Sequence, residues 1–372
     1  MRSIVVSIIL LLLLTGCWDQ RLLKEHSLIL SIGYDLTEDG KIEKTITFPD
    51  KSGGGGQVSM STNTEIISVI ANTVKDAETK TDEYSPEKFD RSKAKVILIG
   101  KDLAESGIFP TLDSVYRDLR APLYASVAIV DGTAKDALEV EDTYSLLTSE
   151  FYSELLKTAS NAGIIKDDNI QEICPVILSD GKDIAIPQIA LMDNGKRAKI
   201  TGSTLFNGDK SSGELSLDEN IMLLTLMGVK NKNRKMNFLV DPDQERREKQ
   251  YVNFSIRNEY QHVTWERTGD NDLTVTVKLS LQIEIDEYAS DHLYDEDKAK
   301  YLVDAITKQS EKRAKKTIEK IQEANNDTLG IGEKIKAYDP QLWQKVNWKE
   351  MYPEITIEPE FDIEIIRHGI LN

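Results

Sequence analysis

Cysteine and histidine are scarce in this chain. Only two cysteines, Cys17 and Cys174, and four histidines occur in 372 residues. Two cysteines exclude a disulfide framework. No two of His26, His262, His292 and His368 stand at metal-ligand spacing, and no HExxH or cysteine-rich pattern occurs. A Gly-x-Ser-x-Gly elbow, a GxGxxG fingerprint and a Ser-x-x-Lys with its companion motifs are absent too. Basic charge is in deficit: 46 Lys and Arg face 63 Asp and Glu, a formal net charge of −17. That balance argues against nucleic acid as a partner, because phosphates demand a basic surface. It also argues against electrostatic adhesion to anionic headgroups. Long apolar runs are missing except one, Ile4 to Leu14, broken only by Ser7.

That run organises the reading. Arg2 precedes it, and Leu14-Thr15-Gly16-Cys17 closes it. A basic start, an apolar centre and a small-residue exit form a secretory signal. About eleven residues are too few to cross a hydrocarbon core of roughly 30 Å. Leucine, two small residues and cysteine match the bacterial lipobox, where the thiol accepts a diacylglyceryl group and the chain is cut just before it. Residues 1–16 are therefore expected to be a cleaved lipoprotein signal peptide, with Cys17 carrying S-diacylglycerol and N-acyl (palmitate-type) chains. An uncleaved anchor and an ordinary thiol are the alternatives. The spacing favours lipidation, and Trp18-Asp19-Gln20-Arg21 turns polar at once. Each buried methylene contributes about 0.8 kcal/mol, so two acyl chains hold a protein durably where one does not.

The remainder, 40% apolar and 29% charged, has the composition of a globular body. Ser27 to Pro49 predicts a β-hairpin: Leu28, Leu30 and Ile32 alternate, Glu38-Asp39-Gly40 turns, and Ile42, Lys44, Ile46 and Phe48 return. The turn mimics a calcium loop but offers Ile46 where a bidentate glutamate belongs. Gly53-Gly54-Gly55-Gly56 lacks the Lys-Ser/Thr of a P-loop and predicts a mobile surface loop. Glu65 to Lys80 predicts a helix, with Ile66, Val69, Ile70, Thr73, Val74 and Ala77 on one side. Lys95 to Gly100 and Tyr124 to Val130 predict buried strands around a helix, Asp102 to Leu119, broken near Phe109-Pro110. Such an alternation suggests an α/β layer beside the hairpin. Ala134 to Ile173 is mostly helical, with Cys174 expected to be a small buried residue, and Ala185 to Met192 and Ala198 to Phe206 predict strands.

The C-terminal part has the strictest periodicity. Leu273, Val275, Val277, Leu279, Leu281, Ile283 and Ile285 alternate with polar residues, giving a long strand with one dry face. Tyr251 to Glu266 precedes it across Gly269-Asp270-Asn271-Asp272, and Ile355, Ile357, Phe361, Ile363 and Ile365 repeat the pattern. Pro359 inside that last run predicts an edge or a bulge. Between them a helix is expected over residues 291–324, with Leu302, Ala305, Ile306, Ala314, Ile318 and Ile321 as its apolar stripe. The fold class expected is multi-domain α+β, mixed or antiparallel sheets covered by helices, with the long helix on a C-terminal antiparallel sheet. The expected divisions are 17–197, split near 132/133, and 198–372. Carboxylates are abundant, but most sit at turns, helix starts or wet strand faces, where solvated charge explains them.

These features together resemble the Ger(x)C family of spore germination lipoproteins, the C subunits of nutrient germinant receptors. The resemblance runs over nearly the whole chain. It is carried by the lipobox followed directly by Trp18-Asp19, by Ile29-Leu30-Ser31-Ile32-Gly33-Tyr34-Asp35, and by Tyr116-Arg117-Asp118. It continues with Thr201-Gly202-Ser203-Thr204-Leu205-Phe206 and Gly213-Glu214-Leu215, where Ser203 and Thr204 replace small apolar residues. Asn326-Asp327-Thr328-Leu329-Gly330-Ile331-Gly332 and Arg367-His368-Gly369 complete it. The resemblance implies a body of three α+β domains without enzymatic activity, cofactor or metal. It also implies a place on the outer face of the inner spore membrane, beside integral membrane A and B subunits. A lipid-anchored solute-binding protein and a cell-envelope hydrolase are the rival readings. The strand-rich C-terminal half argues against the first, and the missing catalytic motifs argue against the second.

Overall fold

The computed structural model describes residues 26–49, 64–140, 143, 147–267, 273–290 and 292–368. The leader, Cys17, the glycine run at 53–56 and the turn at 269–272 lie outside the described residues. The chain begins with β1 (His26–Leu28), β2 (Ser31–Leu36), β3 (Ile42–Pro49) and β4 (Thr64–Ala71), followed by α1 (Val74–Asp82) and β5 (Lys88–Asp90). Then come β6 (Val96–Gly100), α2 (Lys101–Ser106), α3 (Phe109–Tyr116), β7 (Ser126–Asp131), α4 (Ala134–Leu138), α5 (Thr148–Asn161) and α6 (Ile170–Ile177). Next are β8 (Ala185–Met192), β9 (Arg197–Asn207), β10 (Lys210–Ser216) and α7 (Leu217–Leu226).

Eight of these strands form one sheet, in the order β10-β9-β8-β7-β6-β2-β3-β4. Its centre, β2-β6-β7-β8, is parallel, and both flanks are antiparallel. Central parallel strands are covered on both faces and read as unbroken apolar runs. In β6 the run Val96-Ile97-Leu98-Ile99 is wholly buried. Ile97 and Ile99 join Leu103, Leu112 and Ile173 under α2, α3 and α6. Val96 and Leu98 face the other way, against Ala134, Leu138, Tyr152 and Leu156 of α4 and α5. The hairpin stands over Ser31 to Pro49 and the α/β layer stands beside it, while β1, at the start of the predicted hairpin, pairs instead with β5 in a small sheet of its own. The helix break near Phe109-Pro110 is real, with Gly107 and Ile108 separating α2 from α3.

The predicted helix over Glu65 to Lys80 is corrected. Its first half is β4, paired with β3 from Ile42↔Ala71 to Pro49↔Thr64. Ile66, Ile67, Val69 and Ile70 are β-branched and suit an extended edge strand, and a neighbouring strand with free backbone groups decides the case. Helix starts only after Thr73, whose hydroxyl accepts from the Asp76 N–H. Pairing continues along the sheet: β7 bonds to β8, and β9 bonds to β8 and β10.

The C-terminal part holds β11 (Lys235–Leu239), β12 (Tyr251–Arg267), β13 (Leu273–Tyr288), α8 (Glu296–Glu323), α9 (Ile331–Tyr338), α10 (Pro340–Trp343), α11 (Trp348–Met351) and β14 (Thr356–Arg367). The strands form a second sheet, β11-β12-β13-β14. Leu273 through Ile283 are buried at every odd position, and Leu302, Ile306, Ala314, Ile318 and Ile321 of α8 lie in the same cluster. Helix α8 begins at Glu296, later than expected, where the Asp295 carboxylate caps the Asp297 N–H. Pro359 lies on an edge strand, as its missing donor requires. The sheet is mixed rather than antiparallel, because β14 runs parallel to β13 from Thr274↔Thr356 onward. The 28 residues of α8 rise about 42 Å, enough to return the chain to the start of β13.

Strand β9 depends on Gly202. Its φ is +152°, and a Cβ there would collide with the Leu215 carbonyl of β10. Gly202→Ala is expected to destabilise the protein by about 2 kcal/mol or more. The readout is a lower urea midpoint at unchanged slope. An unmoved midpoint would show that the β9–β10 backbone can yield.

Candidate functional site

The two sheets meet at the turn after α8. Asp327 is 1% exposed. Its Oδ1 accepts from the Ile331 N–H at 2.9 Å, and its Oδ2 accepts from the Gly332 N–H at 2.7 Å and Trp348 Nε1–H at 3.0 Å. The Asp327 N–H donates to Asp183 Oδ2 at 2.9 Å, while the Asp183 N–H donates to the Asp327 carbonyl at 3.1 Å. Asp183 Oδ1 also accepts from the Gly208 N–H. Asn326 Nδ2 donates to the carbonyls of Ile184 and Phe206, at 2.8 and 2.6 Å. Gly330 sits at φ +66°, and a Cβ on Gly332 would strike the Trp348 indole and Gly181. Every polar residue and glycine of this turn thus has a packing or hydrogen-bonding reason. Burial lifts Asp327 up to about 7, against the three N–H donors.

A second cluster lies between α1, β3, β5 and the loop after α3. Asp118 Oδ1 accepts from the Arg120 N–H at 2.8 Å, and its Oδ2 meets Arg91 and Lys75. Arg91 and Lys75 also hold Glu78. The Arg120 N–H, then Lys75 and Arg91, keep the Asp118 carboxyl well below the usual carboxylate range. These groups line a cleft of about 100 Å³. Lys44 of β3 also lines it and is 2% exposed. Among the described residues no hydrogen bond or ion pair reaches the Lys44 ammonium. Burial, with Arg91 and Lys75 adding repulsion, pushes its pKa down to about 7.

Residues 19–191 match the family model described as the spore germination protein N-terminal domain, and residues 201–369 match spore germination B3/GerAC like, C-terminal. The chain belongs to the Ger(x)C family of spore germination proteins. The putative spore germination protein YfkR of Bacillus subtilis (strain 168) is 23% identical, covering 99% of this chain and 96% of that relative. Spore germination protein KC of the same organism is 22% identical, over 100% of this chain and 97% of its own. Spore germination protein GerQC of Bacillus cereus is 20% identical, with 100% and 99% covered. The crystal structure of the GerBC protein superposes with a TM-score of 0.57 at 18% identity, over 90% of this chain and 96% of that one, which shows a shared fold.

Three of the motifs that carry the family resemblance are structural locks in this Ger(x)C chain. Asn326 to Gly332 joins the sheets, Gly202 lets β10 approach β9, and Asp118 anchors the ion cluster. Arg117, beside Asp118, points elsewhere and pairs with Asp113 at 2.7 Å. The predicted lipidation residue, Cys17, lies outside the described residues. Cys174 of α6 is 1% exposed and packs in the cluster with Leu112 and Val115 of α3, as expected, and burial pushes its thiol up to about 11. Among the described residues no group of three or more His, Cys, Asp and Glu is arranged to hold a metal. Among them, too, no helix is long and apolar enough to cross a membrane. Of the buried carboxylates, Asp35 accepts from the Ala134 and Lys135 N–H groups and caps α4. The sequence reading missed Arg91, Asp183 and the role of Lys44. Only Lys44 left a signal, a lysine in register with Ile42, Ile46 and Phe48.

Asp327→Ala strands the donors of Ile331, Gly332 and Trp348 and is expected to destabilise by about 3 kcal/mol. Folding raises this carboxyl above its ordinary 3.8, so the stability it contributes is full at low pH and falls as pH climbs through about 7. Asp327→Asn removes that slope. Urea midpoints at roughly pH 5 and pH 8 read it. Equal pH dependence in both proteins would refute the assignment.

Proposed function

We infer that membership in this family gives the chain a role in spore germination. We propose the finer reading that it is the lipid-anchored, non-enzymatic C subunit of a nutrient germinant receptor. The observation that carries it is Leu14-Thr15-Gly16-Cys17, followed two residues later by the start of the family match at residue 19. The acyl chains on Cys17 hold the body at the outer face of the inner spore membrane. Tethering raises its effective concentration toward integral membrane A and B subunits without any new contact. A net charge of −17 supports attachment through lipid rather than through the protein surface. The buried, protonated thiol of Cys174 and the structural use of Asp35 and Asp327 support a body that binds and positions rather than transforms.

Replacing the acceptor tests the reading. In Cys17→Ala spores the protein should leave the membrane fraction, lose the acyl mass by mass spectrometry, and germinate poorly on nutrients while remaining folded. A membrane-bound, unacylated protein supporting full germination would overturn it.

A further inference from the structure

We propose that the cleft between α1 and the loop after α3 binds a small oxyanion, a carboxylate or a phosphate group, with Lys44 as its buried cationic contact. A lysine ammonium taken out of water is strongly unfavourable unless paired. Glu78 and Asp118 are already held by Arg91 and Lys75, and Asp82, the acid of the cleft that attracts Lys44, makes no ion pair with it. A second buried donor stands beside it. Tyr34 lies directly opposite Lys44 in the β2–β3 ladder, so both side chains share one face. The Tyr34 hydroxyl is buried and has no hydrogen-bond partner among the described residues. Two unpartnered donors on adjacent strands call for an acceptor, and Arg120 adds a further cation to a lining that also carries the carboxylates of Glu78, Asp82, Asp90 and Asp118. The cleft has room for one small oxyanion or a few waters.

The anion has two possible sources. One is a free small molecule. The other is a lipid headgroup, and that source rests on the lipid-anchored reading above. His26 of β1 is nine residues from Cys17, within about 30 Å of extended chain, and β1 pairs with β5, whose Phe89 and Asp90 line the cleft.

The test uses the full-length protein in neutral detergent, with isothermal titration of sodium acetate, inorganic phosphate and short-chain phosphatidylglycerol against sodium chloride at matched ionic strength. At least one probe is expected to saturate. Lys44→Met should then weaken it about tenfold or more, and Arg117→Ala, outside the cleft, should leave it unchanged. Acetate or phosphate binding identifies a free anion; binding of the short-chain lipid alone identifies a headgroup. Reductive methylation of the wild-type protein removes any dependence on variant folding: a saturating anion should slow labelling of Lys44 and of no exposed lysine such as Lys157. The proposal is overturned if no probe exceeds chloride, if Lys44→Met binds as tightly, or if labelling of Lys44 is indifferent to the anion.

Discussion

A single buried carboxylate holds this architecture in register. Asp327 sits where the eight-stranded sheet, the long helix α8 and the tryptophan of α11 converge, and it is satisfied from three directions. Its own backbone exchanges two hydrogen bonds with Asp183, just before β8. Asn326 reads two carbonyls of the large sheet at once. Apolar packing also joins the two sheets, since Leu205 and Leu215 of the large sheet lie in the cluster under α8, and the polar turn fixes their relation. A buried polar network of this kind fixes a unique arrangement because any slip leaves groups unpaired in a low-dielectric site. Apolar packing alone tolerates sliding and repacking.

That arrangement explains which parts of the sequence were legible. Strand β13 faces α8 with one side and carries polar residues on the other, so a period of two was written into it without ambiguity. Strand β6 is buried on both sides and showed as a short apolar run, readable because Gly100 ended it. Residues 65–71 failed for a different reason. Ile66, Val69 and Ile70 fit helical spacing, and what makes them a strand is β3, a neighbour some twenty residues earlier whose hydrogen bonds no local window contains. The parallel sense of β14 was hidden in the same way, since it follows from where α8 delivers the chain.

The functional residues divide along the same line. The proposed lipidation signal is contiguous, so Leu14 to Cys17 could be proposed without any fold. The turn at 326–332 could be recognised but not explained, because Asp183, Trp348 and Gly181 come from distant segments. The ion cluster around Asp118 was out of reach altogether: Lys75, Glu78, Arg91 and Asp118 are brought together by α1, the segment after β5 and the loop after α3. What the sequence showed there was Tyr116-Arg117-Asp118 as a family motif and one lysine in an apolar register.

That lysine bears on how the protein is used. A Met or Leu at position 44 would pack against Ile46 and its neighbours at least as well as an ammonium, since replacing buried ions by apolar residues of similar volume is often neutral or stabilising. Stability therefore does not account for Lys44. Nor do Glu78 and Asp118 need it, because Arg91 and Lys75 already hold them, and with Asp82 it makes no ion pair. A depressed lysine beside an unpartnered tyrosine is tolerated where something else completes the site. The elements around that cleft are α1, β3, β5 and the loop after α3, which lie on the part of the body closest in sequence to Cys17.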